Sequence, residues 1–207
     1  MNTMLRKTVH AFAGFAFAGG ALLGPTTAAL ASPAHEAPAT AAPATVAVAQ
    51  VKTDKPAPKP GMDKLSPHGV QGQQSSVKLS DEQTKNAKAI IEATKKSGMD
   101  ERAAVVAIAT SLQESKLDNL GHLGDMNDHD SLGLFQQRPS SGWGSAEQIT
   151  NPEYSTKAFL SGLKNVEGWK DMPLTDAAQA VQVSAYPDHY AQWETQAANL
   201  VADHWNS

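Results

Sequence analysis

The sequence contains no cysteine. That excludes a disulfide framework, a thiolate nucleophile and a cysteine-ligated metal centre, so the fold must be held by an ordinary packed core. Excess positive charge is lacking too: from Val77 onward there are 11 Lys plus Arg against 18 Asp plus Glu, formally −7. A nucleic-acid partner calls for the opposite sign and a basic patch. Neither the alternation of apolar and polar residues that marks half-buried strands nor a Gly-x-Ser-x-Gly nucleophile elbow occurs. No apolar run beyond the N-terminal one is long enough to suggest a membrane span.

That N-terminal run reads as a leader. Arg6 and Lys7 precede apolar residues from Ala11 to Leu23, and Ala29-Leu30-Ala31 before Ser32 fits a small-x-small cleavage site. Gly19, Gly20, Gly24 and Pro25 interrupt a stretch already shorter than the roughly 20 residues that cross a bilayer. Residues 1–31 are therefore expected to be a signal peptide, and the product to be secreted, extracellular or wall-associated. Residues 32–76 are mostly Ala, Pro, Thr, Lys and Gly, too poor in large side chains to offset the entropy of ordering them, and read as a semi-extended linker. Residues 77–207 remain as one self-sufficient domain, expected to be monomeric.

Within it, helical signals follow one another. Ser80 and Gln83 form a candidate capping box before Ala87, Ile90 and Ile91, and Gly98 closes that element, predicting a helix from Asp81 to Lys96. Asp100 can cap the next helix, whose Ala103–Leu112 stretch is apolar almost all round and therefore reads as surrounded by other elements. Leu117 to Asp130 is irregular chain, with room for a short hairpin before Leu134, and the Ser, Thr and Gly of 140–150 continue the excursion. Asn151-Pro152 opens a helix ending at Gly168, Thr175 opens another, and Pro187 a last one carrying Tyr190, Trp193, Ala197, Leu200 and Val201. The fold class expected is all-α: five or six helices around the Ala103–Glu114 segment.

Glu114 stands out at the end of the most apolar helix. Burial and the negative end of the helix dipole both favour the neutral carboxyl, which is how a general acid is kept protonated near neutral pH. The alternative is a terminal Glu that reaches solvent. Asp125, Asn127, Asp128, His129 and Asp130 suggest a metal, but the twelve-residue calcium-loop pattern is missing. They read as a solvated acidic rim, so no metal and no cofactor are expected. His122, His129 and His189 are scattered on loops, and Trp193 and Trp205 read as core or helix-edge residues. Trp143, Tyr186 and Tyr190 could stack on a sugar face, and the two tyrosines could offer a hydroxyl to the reacting carboxyl.

Glu114-Ser115, followed after the excursion by Gly133-Leu134-Phe135-Gln136-Gln137, resembles the catalytic domain of lytic transglycosylases and goose-type lysozymes. More narrowly, DSLGLFQQRPSSGWG and VQVSAYPDHY are similar to a secreted actinobacterial branch of that lysozyme-like superfamily. The resemblance spans Asp81 to Ser207. It implies a helical domain with a groove for peptidoglycan glycan strands, cleaved at the β-1,4 bond between N-acetylmuramic acid and N-acetylglucosamine. Glu114 matches the family's catalytic Glu, and Ser115 its small polar neighbour. Gly133, Leu134 and Gln136 match a Gly-Leu-Met-Gln element in which Phe135 stands for Met, and Gln137 would help fix backbone and substrate amides. Tyr186 lies where relatives carry Ala-Tyr-Asn, but SAYPDHY lacks the Asn.

Two routes remain open at this level. A transglycosylase needs one carboxyl, Glu114, and closes a 1,6-anhydro ring on the substrate's own C6 hydroxyl. An inverting hydrolase needs a second carboxylate about 6.5–9.5 Å away to hold water. Asp125, Asp128 and Asp130 are candidates, with Asp130 best placed just before the SLGLF turn. A wall-binding module with little turnover is the rival from outside enzymology.

Overall fold

The computed structural model describes residues 58–122, 124 and 129–207. The leader 1–31, the linker up to residue 57, and the candidate ligands Asp125, Asn127 and Asp128 lie outside the described residues. Among those described, every regular element is helical, as expected of an all-α domain, and the only pairing of extended chain is two isolated antiparallel bridges, Leu120 with Gly133 and Leu132 with Gln137. The stretch with room for a short hairpin before Leu134 thus holds only single bridges.

The helices begin where the chain supplies acceptors for their first N–H groups. Helix α2, Asp81–Lys96, is capped by Ser80, whose hydroxyl accepts from Gln83 N while Gln83 Oε1 accepts from Ser80 N. Asp100 accepts from Ala103 N at the start of α3, Glu101–Ser115. Asn151 accepts from Glu153 N and Tyr154 N at the start of α5, Pro152–Lys164. That helix stops at Lys164, short of the expected Gly168, which instead starts a 3-10 turn over Trp169–Asp171. Helix α6, Leu174–Gln182, begins one residue before Thr175, whose hydroxyl donates to Pro187 O rather than capping. Pro187 opens a 3-10 segment, Pro187–Trp193, before α7 runs from Glu194 to His204. A short helix α4, Ala146–Ile149, with its own Ser145/Gln148 capping box, sits in the excursion read as irregular.

Helix α3 is the centre. Ala103 to Ala109 and Leu112 are fully buried, and α3 is contacted by α2, α5, α6, α7 and the 3-10 segment, as its all-round apolar sequence requires. Thr110 is buried there without cost because its hydroxyl donates to Val106 O within the same helix.

Residues 58–76, expected to be linker, are ordered with the helices in one compact unit. A short helix α1, Met62–Leu65, buries Leu65 completely, and Arg102 Nη1 donates to Leu65 O at 2.8 Å. Lys59 pairs with Asp203 at 2.6 Å. The composition argument failed because this strap is held by one apolar plug and many hydrogen bonds, not by apolar area.

Arg102 also bonds Glu194 Oε1 at 2.6 Å, with side chains 5% and 2% exposed, tying the N-terminal turn of α3 to that of α7. Removing one partner leaves a buried charge uncompensated. Arg102→Met is expected to cost about 3–5 kcal/mol in urea unfolding, most of it recovered in Arg102→Met/Glu194→Leu. Equal stability of the single and double variants would show that the pair is not what makes Arg102 costly to remove.

At the surface, Glu153 bonds Lys157 and Lys96, and the Lys157 hydrogen bond foremost lowers its pKa from 4.5 to about 2. A depressed carboxyl contributes its stability above its unfolded value and loses it as pH falls. Glu153→Gln should therefore lower the melting temperature slightly at neutral pH and flatten its decline between pH 4.5 and about 2.

Candidate active site

The C-terminal turn of α3 carries Gln113, Glu114 and Ser115, and the chain then leaves by two consecutive left-handed residues, Lys116 (φ 58°) and Leu117 (φ 67°). Such conformations are uncommon for residues with a Cβ and need surroundings that over-determine them. Here Gln83 Nε2 donates to Lys116 O and the buried Asn86 Nδ2 to Leu117 O, both at 2.9 Å, so α2 holds the turn. Leu117 itself is fully buried.

Glu114 is half-buried, and Tyr190 Oη donates to its Oε1 at 2.7 Å. Tyr190 is completely buried, so its ring offers no face to a sugar; of the two roles open to it, the hydroxyl on the carboxyl is the one realised. Burial foremost, then the Glu114 charge, raises the Tyr190 pKa far above its ordinary value, with the Ser184 hydroxyl acting the other way. Tyr190 is thus a donor over the whole working pH range. Lys116 lies beside Glu114 in sequence: its ammonium donates to Leu112 O and Gln113 O, capping α3, and sits 4.6 Å from the Trp193 ring centre. Burial lowers the Lys116 pKa, while attraction to Glu114 opposes that. Tyr190 and Lys116 were not weighed in expecting a neutral acid, and both interact most strongly with the carboxylate.

Ser115 is buried, and its hydroxyl donates to Ser111 O and to Leu134 O at 2.9 Å, fastening the Gly133–Gln137 loop to the end of α3. Gly133 has φ 71°, and a Cβ there would lie 2.5 Å from Ile149 O, so the loop can approach α4 only with glycine. Leu134 and Phe135 are fully buried, with Phe135 stacked on Phe159 at 5.1 Å and Phe135 O accepting from Gln182 Nε2. Gln137 is buried with its amide on Ser155 O. These three were expected to bind or orient substrate, Gln137 by fixing backbone as well; their side chains are enclosed by protein and hold the loop. Gln136, half-buried at φ 48°, donates to Gly133 O.

Asp130 is a structural anchor. Its Oδ1 accepts from Arg138 Nε and Ser140 Oγ, both at 2.9 Å, and its Oδ2 from Ser140 N at 2.7 Å. Those bonds, Arg138 foremost, hold its carboxyl well below the usual carboxylate range. A carboxylate so engaged is a poor general base for water. Trp143 is half-buried beyond it, and Tyr186 is 62% exposed, its ring stacked on His189 at 5.0 Å. Among the described residues no cluster of His, Asp and Glu suits a metal ion. A cavity of about 170 Å³ lined by Met99, Lys157 and Leu160 contains none of the site residues.

Sequence reasoning missed Gln113, Gln192 and Arg138. Gln113 Oε1 accepts from Trp193 Nε1 at 2.8 Å and Gln192 Nε2 at 3.2 Å, bracing the residue next to Glu114. Its position immediately before the Glu-Ser pair was the available signal.

Asp130→Ala is expected to speed amide exchange at Ser140 by at least about tenfold, since hydrogen bonds to a charged acceptor are worth about 1.5–3 kcal/mol. An unchanged rate would deny Asp130 its anchoring part.

No protein-family model matches this chain, and no curated protein matches it either.

Proposed function

We propose that the protein is a secreted muralytic enzyme that cleaves the β-1,4 bond between N-acetylmuramic acid and N-acetylglucosamine, with Glu114 as its only acid and base. The observation that carries this reading is the half-buried Glu114 at the end of the most buried helix, with Oε1 held by the hydroxyl of a buried tyrosine. The Tyr190 hydroxyl gives the carboxyl a defined orientation, as a positioned proton donor requires.

In this reading the proton on Glu114 Oε2 passes to the glycosidic oxygen as the C1–O bond breaks and its electron pair stays with the departing sugar. The muramic ring develops oxocarbenium character, assisted by the substrate's own N-acetyl oxygen. The C6 hydroxyl then bonds to C1 and returns its proton to the Glu114 carboxylate, closing the 1,6-anhydro ring and restoring the acid. Tyr190, protonated throughout, follows the change in charge on Glu114. The anchoring of Asp130 by Arg138 and Ser140 supports the single-carboxyl route against one in which Asp130 is the second base. The formal charge of −7 from Val77 onward offers no long-range attraction to acidic wall polymers, which suits remodelling by the producing cell better than attack on foreign walls.

The test is incubation of the full chain with isolated sacculi. Anhydro-muramyl ends are expected; reducing muramic ends would mean hydrolysis, and adsorption without soluble fragments would leave a wall-binding module. Glu114→Gln should lower turnover by about 10²–10⁴ with the fold intact. Wild-type turnover in that variant would remove Glu114 from the chemistry.

A further inference from the structure

The strap formed by residues 58–77 bears directly on the segment that carries Tyr190. Gln74 Nε2 donates to Ala191 O at 2.9 Å, next to Tyr190 in the chain, and Gln74 Oε1 accepts from Thr195 N at 2.9 Å. Helix α7 has no side-chain cap of its own, so Gln74 supplies an acceptor that its first turn otherwise lacks. Ser75 N donates to Gln192 O at 2.8 Å and Ser75 Oγ to Gln192 Oε1 at 2.7 Å. Gln192 in turn donates to Gln113, the neighbour of Glu114. The strap therefore grips the Tyr190–Gln192 backbone from outside, and reaches the residue before Glu114 through one side chain.

A 3-10 helix has poorer hydrogen-bond geometry than an α-helix and rarely runs past three or four residues. The seven-residue segment Pro187–Trp193 is longer than its own bonds would be expected to sustain. Its register decides where the Tyr190 hydroxyl lies. Bonds from Gln74 and Ser75 fix that register at the two residues following Tyr190.

We propose that Gln74 and Ser75 are positioning residues for the Glu114–Tyr190 pair, so that the strap is part of the catalytic apparatus rather than the end of a linker. As catalysis, this rests on the muralytic reading above. The docked strap sets the Tyr190 hydroxyl against Glu114; a released strap no longer holds that hydroxyl in place.

The test uses the full chain with Gln74→Ala/Ser75→Ala, and Lys59→Ala as a control at the far end of the same strap. On isolated peptidoglycan the double variant is expected to lose about tenfold in kcat at unchanged KM, and Lys59→Ala to lose nothing. In a Tyr190→Phe background the double variant should add no further loss, because both changes remove the same interaction. Tyrosine labelled with 13C at Cζ gives a readout independent of turnover. The Tyr190 resonance should titrate above the ordinary tyrosine range in the wild type and move down toward it in the double variant, while thermal unfolding stays cooperative. Should that variant not fold, Gln74→Glu keeps the acceptor for Thr195, removes the donor to Ala191 and is read in the same way. Additive losses in the Tyr190→Phe background, or a Tyr190 titration identical to wild type, would overturn the proposal. If the wild-type chain releases nothing from peptidoglycan, the muralytic reading fails, and the Tyr190 titration alone still decides whether the strap places this hydroxyl on Glu114.

Discussion

A helix with no face toward solvent can carry charged side chains only near its ends, and that constraint arranges the described part of this protein. Ala103 to Ala109 admit no water, so the remaining helices enclose α3 and its polar groups collect at its two turns. At the N-terminal turn the charge is Arg102, neutralised by Glu194 and bonded to Leu65 O. At the C-terminal turn it is Glu114, with Gln113 and Ser115 on either side. Orphan carbonyls at that end need donors as well, and Lys116 supplies one ammonium to two of them. A polar side chain beside buried chain and unsatisfied backbone is where site chemistry can develop.

The second feature is where the backbone departs from its easy conformations. Lys116, Leu117, Gln136 and Val183 all have positive φ without being glycine. Each adjoins the Glu114 turn, the 133–137 loop or the connection into the Tyr190 segment. Such residues persist when neighbours hold them, and each location here has a side-chain donor: Gln83 and Asn86 on α2, Ser115 on α3, Gln182 and Gln179 on α6. The turn around Glu114 is rigid because several helices converge on it.

These two features differ in how far they could be read from the amino-acid string. Capping boxes and apolar spacing are local, so the sequence alone sets α2 at its observed limits and marks α3 as enclosed. Glu114 followed from its position at the end of that helix. The 58–76 strap escaped because composition counts apolar area, and this segment is held by Leu65, Gln74 and Ser75 acting singly. Helix α4 escaped because four residues make barely one turn, too short for periodicity to register. Leu134, Phe135 and Gln137 were placed beside substrate because a motif gives order along the chain and not depth; their side chains lie in the core. The Tyr190 hydroxyl on Glu114 spans 76 residues, and neither periodicity nor spacing encodes such a pairing.

That pairing bears on the chemistry through a balance of opposed influences. Burial and the helix dipole favour a neutral carboxyl at position 114, which suits a group about to give up a proton. The Tyr190 hydroxyl and the Lys116 ammonium favour the ionised form, which suits the same group about to take one back. A two-carboxyl enzyme can divide these duties between residues with separated affinities for the proton. Asp130, bound to Arg138 and Ser140, is not available to divide them with Glu114, and under the proposed one-carboxyl route the same group would perform both. An apolar pocket alone would hold the acid well and give a poor base once its proton had left, because the anion would have no partner. Tyr190 answers that requirement, since burial keeps its own proton in place while its hydroxyl remains aimed at the carboxylate. Whatever fixes Tyr190 therefore also fixes the hydroxyl that meets Glu114, and in this fold that is the seven-residue 3-10 segment with Gln74 and Ser75 bonded to its outer side.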